Sequence, residues 1–400
     1  MLCDLRQRSI YGGDDSQLLL YKDGASLPVR PLSMHSRRGL SSDDVRPAGN
    51  PVQGKVVEEK NRRVDALQHL FYFQYHILSH MACELRKDYL LDRWVIIAGG
   101  RNKRPSEFVK KVDENTSRKT CFFCPGNEET TPPEIWRIPD DAKKWGMRLF
   151  PNKFPAVSVE DGEHIGGLLE CMPAYGTHEV LVETPVHGKS FADFTVKQMR
   201  DVLNAYETRI RELEATQGVG YVCVFKNQGK ASGASIAHSH SQIITLPRIP
   251  PLVKAEVQAS KKYFRENERC VFCDIAKKES AGERLVFKNK DAVAFTPYAS
   301  RFPFETWIAP VKHARRIGDL DGRRSEFLAE VMVKTFGKMK SLLDDPSYNM
   351  IVHYSPERSD LHLHFEILPR LSTWAGFEYE TDVIINTMHP EDAARHLRKA

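Results

Sequence analysis

Hydrophobic and polar positions predict the same succession of secondary-structure elements twice along the chain. The first copy is a strand, a helix and two strands, in HEVLVETPVHGKSFADF (178–194), the segment after it, YVCVFKN (221–227) and HSHSQIITLPR (238–248). The second copy keeps this order in FETWIAPVKHARRIGDL (304–320), the segment after it, YNMIVHYS (348–355) and HLHFEILPR (362–370). The repeat predicts two related α+β halves, residues 83–250 and 251–400, each an antiparallel sheet with flanking helices.

Apolar residues at helical spacing predict the helix of each copy. In the first copy they are Val196, Met199, Leu203, Tyr206, Ile210 and Leu213. In the second copy they are Phe327, Val331, Thr335, Met339 and Leu342. Thr195 and Gln198 have the spacing of a capping box, so the first helix is predicted to begin there.

The first 82 residues differ from the rest in composition. They mix Gly, Ser, Asp and Arg without sustained periodicity, apart from a possible short helix in 62–80. We interpret 1–82 as a disordered extension; a targeting peptide is the alternative, which the aspartates of this segment disfavour. Met81 is a candidate natural start because globular patterning begins directly after it. WVIIAGG (94–100) is then predicted to be a strand that ends in a turn.

Bulk composition excludes some classes of function. The 400 residues are 41% hydrophobic, enough for two or more cores, and the net charge of +5 is mild for this length. The charge suits anionic small molecules and does not require nucleic acid. The longest apolar candidate, LFYFQYHIL (70–78), is far shorter than the roughly 20 residues of a membrane helix. Without a secretory signal pattern at its start, the chain is expected to be cytoplasmic and to have no membrane partner.

Four of the eight cysteines form two CxxC pairs, each followed by histidines at matching offsets. Thiolates separated by two residues can bind one zinc ion from the same side, and two histidines complete a tetrahedral site. The predicted ligand sets are Cys121, Cys124, His187 and His238, and Cys270, Cys273, His313 and His362. The alternative is buried unreactive thiols with surface histidines. His364 shares a strand face with His362 and is a further candidate ligand.

The His-x-His-x-Gln pattern at 238–242 predicts the chemical site. Alternation along a strand places all three side chains on one face, so His240 stays free when His238 binds metal. A neutral imidazole is a suitable nucleophile toward phosphorus. The preceding KNQGKASGAS (226–235) has glycines that let backbone N–H groups approach phosphate oxygens, and neutral Gln242 can donate to a phosphoryl oxygen. The corresponding Glu366 would repel phosphate, which favours the first half as catalytic.

Basic and amide side chains elsewhere are candidates for binding the anionic substrate. Arg101 and Arg104 follow a predicted strand and carry the planar fork that recognises phosphate. A solvated run of charges is the alternative for these two residues. Asn152 lies in FPNKFPAV (150–157), which is predicted to form a rigid turn, and is a candidate for contacting a base or ribose.

Motifs over residues 83–395 resemble the galactose-1-phosphate uridylyltransferase family of the histidine-triad superfamily. They include RNKRPSEF, CFFCPGNEETTPPEI, FPNKFPA, FKNQGKASGAS, HSHSQ and PFETWIAPVKH. The resemblance implies two tandem histidine-triad-like halves, a homodimer, and a His240 that becomes covalently nucleotidylated. It further implies that Gln242 supports the phosphoryl group and that the backbone carbonyl of His238 orients His240. The phosphate contacts that it implies are Asn227 and Ser235, and the nucleotide contacts are Arg101 and Arg104.

Two departures from the family pattern affect the predicted substrate. Ser239 stands where the uridylyltransferases commonly have proline, a feature shared with the plant-type ADP-glucose phosphorylases of the family. ETD (380–382) replaces a Gly-Thr-Gly-like stretch near the sugar site. The sequence therefore predicts a ping-pong nucleotidyltransferase acting on a nucleotide-sugar and a sugar 1-phosphate, similar to the UDP-glucose–hexose-1-phosphate uridylyltransferases. The alternatives are an ADP-sugar phosphorylase, a histidine-triad nucleotide hydrolase, and a zinc-stapled nucleic-acid-binding module, which the scattered basic residues disfavour.

Overall fold

The computed structural model describes part of the chain in full and two strands by their backbone alone. Side chains and backbone are described for 117–139, 144–160 and 162–400, and backbone for 83–87 and 94–98. The predicted extension over 1–82 and the candidate residues Arg101 and Arg104 lie outside the described residues. The strand predicted from WVIIAGG is present as Trp94–Ala98.

Five strands of the first half lie side by side in one antiparallel sheet. They are β3 (Trp136–Ile138), β4 (Met147–Pro151), β6 (His178–Val182), β7 (Tyr221–Gln228) and β8 (His240–Leu246), in the spatial order β3-β4-β6-β8-β7. Strands β1 (Cys83–Lys87), β2 (Trp94–Ala98) and β5 (Cys171–Pro173) form a separate three-stranded antiparallel sheet in the order β2-β1-β5. The central position of β8 places His240 and Gln242 between two neighbouring strands that both contribute side chains to the site.

The second half continues the same sheet. Its strands are β9 (Leu285–Lys288), β10 (Ala292–Phe295), β11 (Thr306–Pro310), β12 (Tyr348–His353) and β13 (His364–Pro369), in the order β12-β13-β11-β10-β9. The halves join where β7 pairs with β12, with Asn227 opposite Asn349. The predicted α+β class and antiparallel sheets are confirmed, and the two sheets are joined edge to edge into one of ten strands.

Both predicted repeat helices are present and pack against each other and against the sheet. They are α1 (Val196–Glu214) and α4 (Gly322–Leu343), and the capping box of Thr195 and Gln198 begins the first. Most of the predicted apolar positions are buried in the main core, while Val196, Phe327 and Leu342 are only half-buried. The remaining helices are α2 (Pro251–Asn267), α3 (Val271–Glu279), α5 (Gly376–Thr381) and α6 (Pro390–Lys399). Of the helices in the described ranges, none has the length and apolarity needed to cross a membrane.

Alternation along β8 separates the two faces of the sheet. Ser241 points toward α1, where it meets the hydroxyl of Tyr206 at 2.5 Å. His240 and Gln242 point to the opposite face and line one cavity. The helices therefore cover one face of the first half, and the candidate site lies on the other face.

Candidate active site

The ring of His240 is held by the backbone two residues before it. Its Nδ1 lies 2.8 Å from the carbonyl oxygen of His238. A carbonyl only accepts, so Nδ1 carries the ring proton and Nε2 carries the lone pair. His240 is 6% exposed, and burial, reinforced by the nearby Lys226 ammonium, lowers its pKa to about 4. The imidazole is therefore neutral near pH 7, with the proton on the hydrogen-bonded Nδ1 and the lone pair on Nε2.

A cavity of about 610 Å³ opens beside His240. It brings together the sequence-predicted residues Asn152, Asn227, Ser235, His240 and Gln242. Its apolar wall is formed by side chains from four strands and three loops, among them Phe122, Phe150, Phe154, Val180, Phe225 and Ile236. A pocket with a mostly apolar wall and a few polar groups at one side is the usual form of a small-molecule site.

His178 fixes the orientation of the Gln242 amide. The backbone N–H of Ala156 donates to His178 Nδ1 at 3.1 Å, so the proton of the neutral ring is on Nε2. That Nε2 donates to Gln242 Oε1 at 2.9 Å, which leaves the Gln242 amide nitrogen available as a donor. The Asn152 amide nitrogen lies 3.1 Å from the same Nε2, and both groups are donors in this tautomer. His178 was not predicted from the sequence, although it alternates onto the Gln242 face of the neighbouring strand.

Asn349 of the second half orients Asn227 in the same way. Its amide nitrogen donates to Asn227 Oδ1 at 2.7 Å and to the carbonyl oxygen of Ser232 at 2.9 Å. The oxygen of Asn227 is therefore engaged, and its amide nitrogen is left as a donor on the cavity side. Asn349 was also missed by sequence analysis, because its position depends on the pairing of β7 with β12.

The glycine-rich segment predicted to approach phosphate forms a tight turn at the cavity edge. Gly229 and Gly233 have φ values of +77° and +87°, a region that favours glycine. A Cβ at Gly229 would also collide with the side chain of Ser347. The turn between the glycines places Ala234 and Ser235 in the cavity wall.

Behind β8, on the helix side of the sheet, lies a fully buried ion pair. Lys226 Nζ donates to Glu183 Oε2 at 2.6 Å, to Ser239 Oγ at 2.9 Å and to the carbonyl oxygen of His240 at 3.1 Å. Both charged side chains have no exposed surface. Burial lowers the pKa of Lys226, and the Glu183 carboxylate opposes this shift. Although Lys226 precedes the glycine-rich turn in sequence, it points away from the cavity.

The first predicted ligand set converges on one point. Cys124 Sγ lies 3.4 Å from His187 Nδ1 and 3.5 Å from His238 Nδ1, and Cys121 Sγ lies 3.7 Å from His238 Nδ1. In a tetrahedral zinc site with zinc–ligand bonds of about 2.0–2.3 Å, neighbouring ligand atoms lie about 3.6 Å apart. The separations in this cluster match that distance. His238 Nε2 donates to the carbonyl oxygen of Thr184 at 2.7 Å, the arrangement that orients a metal-binding histidine. The donor set therefore fits a zinc ion.

The second predicted ligand set has the same form. His362 Nδ1 lies 3.7 Å from Cys270 Sγ and 3.5 Å from Cys273 Sγ, and His313 Nδ1 lies 3.9 Å from Cys273 Sγ. His362 Nε2 lies 3.0 Å from the carbonyl oxygen of Pro310. This cluster is the structural counterpart of the first, so it also fits a tetrahedral metal ion.

His364 is placed differently from His240, with which it corresponds in the repeat. It is fully buried, and its ring stacks on Phe272 at 4.4 Å and on His353 at 4.7 Å. Its side chain belongs to a third group, with Glu256, His353 and Glu366, and not to the Cys270 cluster. Glu366 in this group is already paired with Arg301 at 2.6 Å. In contrast to His240, the ring of His364 does not line the cavity.

Profiles of two protein families match the chain. Residues 74–250 match a family described as "Galactose-1-phosphate uridyl transferase, N-terminal domain", and residues 183–399 match a domain of unknown function. The ADP-glucose phosphorylase of Arabidopsis thaliana is 35% identical over 334 residues, which is 80% of this chain and 94% of the relative. The galactose-1-phosphate uridylyltransferase of Thermotoga maritima is 27% identical over 79% of this chain and 98% of the relative.

Solved structures agree with these relationships. The crystal structure of the ADP-glucose phosphorylase from Arabidopsis thaliana with bound ADP-glucose has a TM-score of 0.64 and 32% identity, covering 80% of this chain and 99% of that chain. A uridylyltransferase structure has a TM-score of 0.67 and 31% identity, covering 79% and 97% of the two chains. The chain therefore belongs to the galactose-1-phosphate uridylyltransferase family.

Proposed function

We propose that the protein is a nucleotidyltransferase that carries a nucleoside monophosphate on His240, from a nucleotide-sugar to a phosphate-bearing acceptor. The observation that carries this proposal is the bond from His240 Nδ1 to the carbonyl oxygen of His238. That bond leaves Nε2 as the nitrogen with a lone pair, on a side chain that lines the cavity. The amide nitrogens of Asn227 and Gln242 are available there as donors for phosphate oxygens.

In the first half-reaction, the Nε2 lone pair of His240 attacks the α-phosphorus of the nucleotide-sugar. A P–N bond forms while the bond from the α-phosphorus to the bridging oxygen breaks, and that oxygen leaves with the electron pair as sugar 1-phosphate. The proton stays on His240 Nδ1, where the His238 carbonyl stabilises the positive charge of the nucleotidylated ring. Gln242 donates to a phosphoryl oxygen as negative charge develops there.

In the second half-reaction, an oxygen of the acceptor phosphate attacks the same phosphorus. The P–N bond breaks, its electron pair returns to His240 Nε2, and the nucleotide product is released. The residues on the cavity side are the same in both steps, so one site serves two phosphate substrates in turn. Such an arrangement predicts ping-pong kinetics.

For the substrates, we propose ADP-glucose as donor and inorganic phosphate as acceptor. Support comes from the 35% identity to an ADP-glucose phosphorylase, against 27% to the Thermotoga uridylyltransferase. The His-Ser-His sequence around Ser239 agrees with this assignment. The second candidate is uridylyl transfer to a hexose 1-phosphate, which was the function predicted first from the sequence. It is supported by the uridylyltransferase structure with a TM-score of 0.67.

We propose zinc in both cysteine–histidine clusters. Cys121, Cys124, His187 and His238 would hold the first ion, and Cys270, Cys273, His313 and His362 would hold the second. Four protein ligands complete a tetrahedron, so each ion would brace the chain segments that supply its ligands. The homodimer and the cytoplasmic location stay predictions from the sequence and its resemblance.

The test is a matrix of ADP-, UDP- and GDP-sugars against inorganic phosphate, hexose 1-phosphates and water, with products identified by mass. We expect turnover with ADP-glucose and phosphate to exceed every other pair. Highest turnover with UDP-glucose and galactose 1-phosphate would select the second candidate, and nucleoside monophosphate formed with water would select a hydrolase. His240→Asn serves as the inactive control.

A further inference from the structure

A buried polar cluster lies directly behind the segment that carries His240. We define it as Glu183, Lys226, Ser239, Ser241 and Tyr206, all buried. Ser239 Oγ and Ser241 Oγ both donate to the Glu183 carboxylate, the former at 2.6 Å. The Lys226 ammonium also lies 4.4 Å from the ring centre of Phe191, and the Lys226 side chain has no exposed surface. None of these five residues lines the cavity.

The second half shows that the fold does not need polar residues here. Phe225 pairs with Gln242 and Ile351 pairs with Glu366, so Val352 corresponds to Lys226. By the same register, Leu363 corresponds to Ser239 and Phe365 to Ser241. Val352, Leu363 and Phe365 are at most 3% exposed. The same pair of strands is therefore built with apolar side chains in one half and with a charged cluster in the other.

This difference argues for a role in the reaction. Replacing a buried ion pair by well-packed apolar residues is often neutral or stabilising, so the pair is not explained by stability alone. Within the segment that carries His240, the Lys226 ammonium contacts two groups, the hydroxyl of Ser239 and the carbonyl oxygen of His240. These positions flank the peptide bond that joins Ser239 to the nucleophilic residue.

We propose that Lys226 and Glu183 are positioning residues that fix the backbone of 239–240, so that the His240 ring meets the α-phosphorus in line. This inference rests on the proposed function of His240. The His238 carbonyl sets the ring from one side of the sheet, and Lys226 holds the His240 carbonyl from the other. Glu183 neutralises Lys226, and its carboxylate accepts hydrogen bonds from the serines on both sides of His240. The second half has no such cluster among its described residues at these positions.

The test compares the rate of His240 labelling with the affinity for ADP-glucose. Lys226→Met with Glu183→Gln removes both charges together and keeps side-chain volume, which avoids an unpaired buried charge. We expect rapid-quench labelling from ADP-glucose with ³²P at the α-phosphate to slow by about 10- to 100-fold, the range expected for a small misplacement of a reacting group. The Kd for ADP-glucose should stay within about twofold, since no cluster residue lines the cavity.

A matched control uses another ion pair, which is partly buried and lies in the second half. Arg284→Met with Glu279→Gln removes a pair at 2.7 Å whose side chains are 15% and 7% exposed. The second partner of Arg284, Glu391, is 30% exposed and stays hydrated, so this variant should leave the labelling rate unchanged. Ser239→Ala is the second variant, for the case in which the double variant does not fold. It removes one contact from Lys226 and one to Glu183, and it should slow labelling about tenfold, as expected from losing a hydrogen bond to a charged group.

The outcomes separate this inference from the proposed function. An unlabelled wild-type protein would reject the proposed function itself. If the wild-type protein is labelled and the double variant or Ser239→Ala is labelled at the same rate, the positioning role alone would be overturned. A loss confined to Kd would overturn it as well, because it would assign Lys226 to substrate binding.

Discussion

The carbonyl oxygen of His238 lies 2.8 Å from Nδ1 of His240, while the imidazole of His238 faces the thiols of Cys121 and Cys124. One residue therefore connects the first cysteine–histidine cluster to the candidate nucleophile. The side chain is fixed at the cluster and by the Thr184 carbonyl, so the backbone of His238 has little freedom to turn. The orientation of His240 is thereby coupled to the integrity of a cluster that does not need to touch substrate.

Removing the first metal ion should therefore cost both stability and activity. Cys121→Ser should release one zinc per chain, lower the melting temperature and slow labelling of His240, because folding and ligation are coupled. Elemental analysis, calorimetry and rapid-quench labelling measure the three effects. Cys223→Ser, at a cysteine outside both clusters, is the control and should keep its zinc. A Cys121→Ser variant that has lost its metal but melts at the wild-type temperature would contradict this coupling.

The second cluster should behave differently. Cys270→Ser should also release one metal ion and lower the melting temperature, since the donor geometry is equivalent. Below its melting transition, however, the variant should label His240 at the wild-type rate, because His362 positions the enclosed His364. A fall in labelling as large as that of Cys121→Ser would show that the two clusters are not functionally distinct.

Gln242 offers a test of the phosphoryl contact. Gln242→Glu places a carboxylate where an amide donor should face developing negative charge. We expect kcat to fall by at least about 10²- to 10³-fold, the usual cost of losing one such donor. The exposed Gln258→Glu variant on α2 adds the same charge away from the cavity and should keep wild-type kcat. Equal kcat values in the two variants would remove Gln242 from the proposed mechanism.

How much of this arrangement was predictable differs from residue to residue. Alternation along one strand placed His240 and Gln242 on the same face, and the CxxC offsets grouped the two ligand sets that the structure brings together. Both inferences needed only local periodicity and the internal repeat. His178, Asn349 and Glu183 were missed, because their contacts depend on the register between strands that are far apart in sequence. Edge pairing of the halves into one sheet is a long-range property of the same kind.

The role of Lys226 was missed for a further reason. In the sequence it adjoins the glycine-rich turn, where a lysine is typical of a phosphate contact. Residue 226 still belongs to strand β7, so the Lys226 side chain alternates to the helix side of the sheet and is fully buried. Arg101 and Arg104, the sequence-predicted nucleotide contacts, lie outside the described residues and stay predictions.

Lys153 carries a prediction about substrate charge. Among the described residues that line the cavity, it is the only lysine or arginine. Lys153→Met should raise KM for the phosphate substrates about 1.4- to 5-fold, since an exposed ion pair contributes about 0.2–1 kcal/mol. The difference from wild type should shrink as salt is added, because exposed charges are screened. Lys334→Met, at an exposed position on α4, is the control; an equal KM change in both variants would exclude a specific contact.

Covalent labelling shows directly whether His240 carries the nucleotide during transfer. The protein is incubated with ADP-glucose that carries ³²P at the α-phosphate, quenched and digested, and the labelled peptide is identified by mass. We expect acid-labile, base-stable label on His240 and its loss in His240→Asn. The label should be retained in His364→Asn, because the His364 ring does not line the cavity. Label on His364, or transfer to phosphate by wild-type protein with no covalent intermediate, would show that His240 is not the nucleophile.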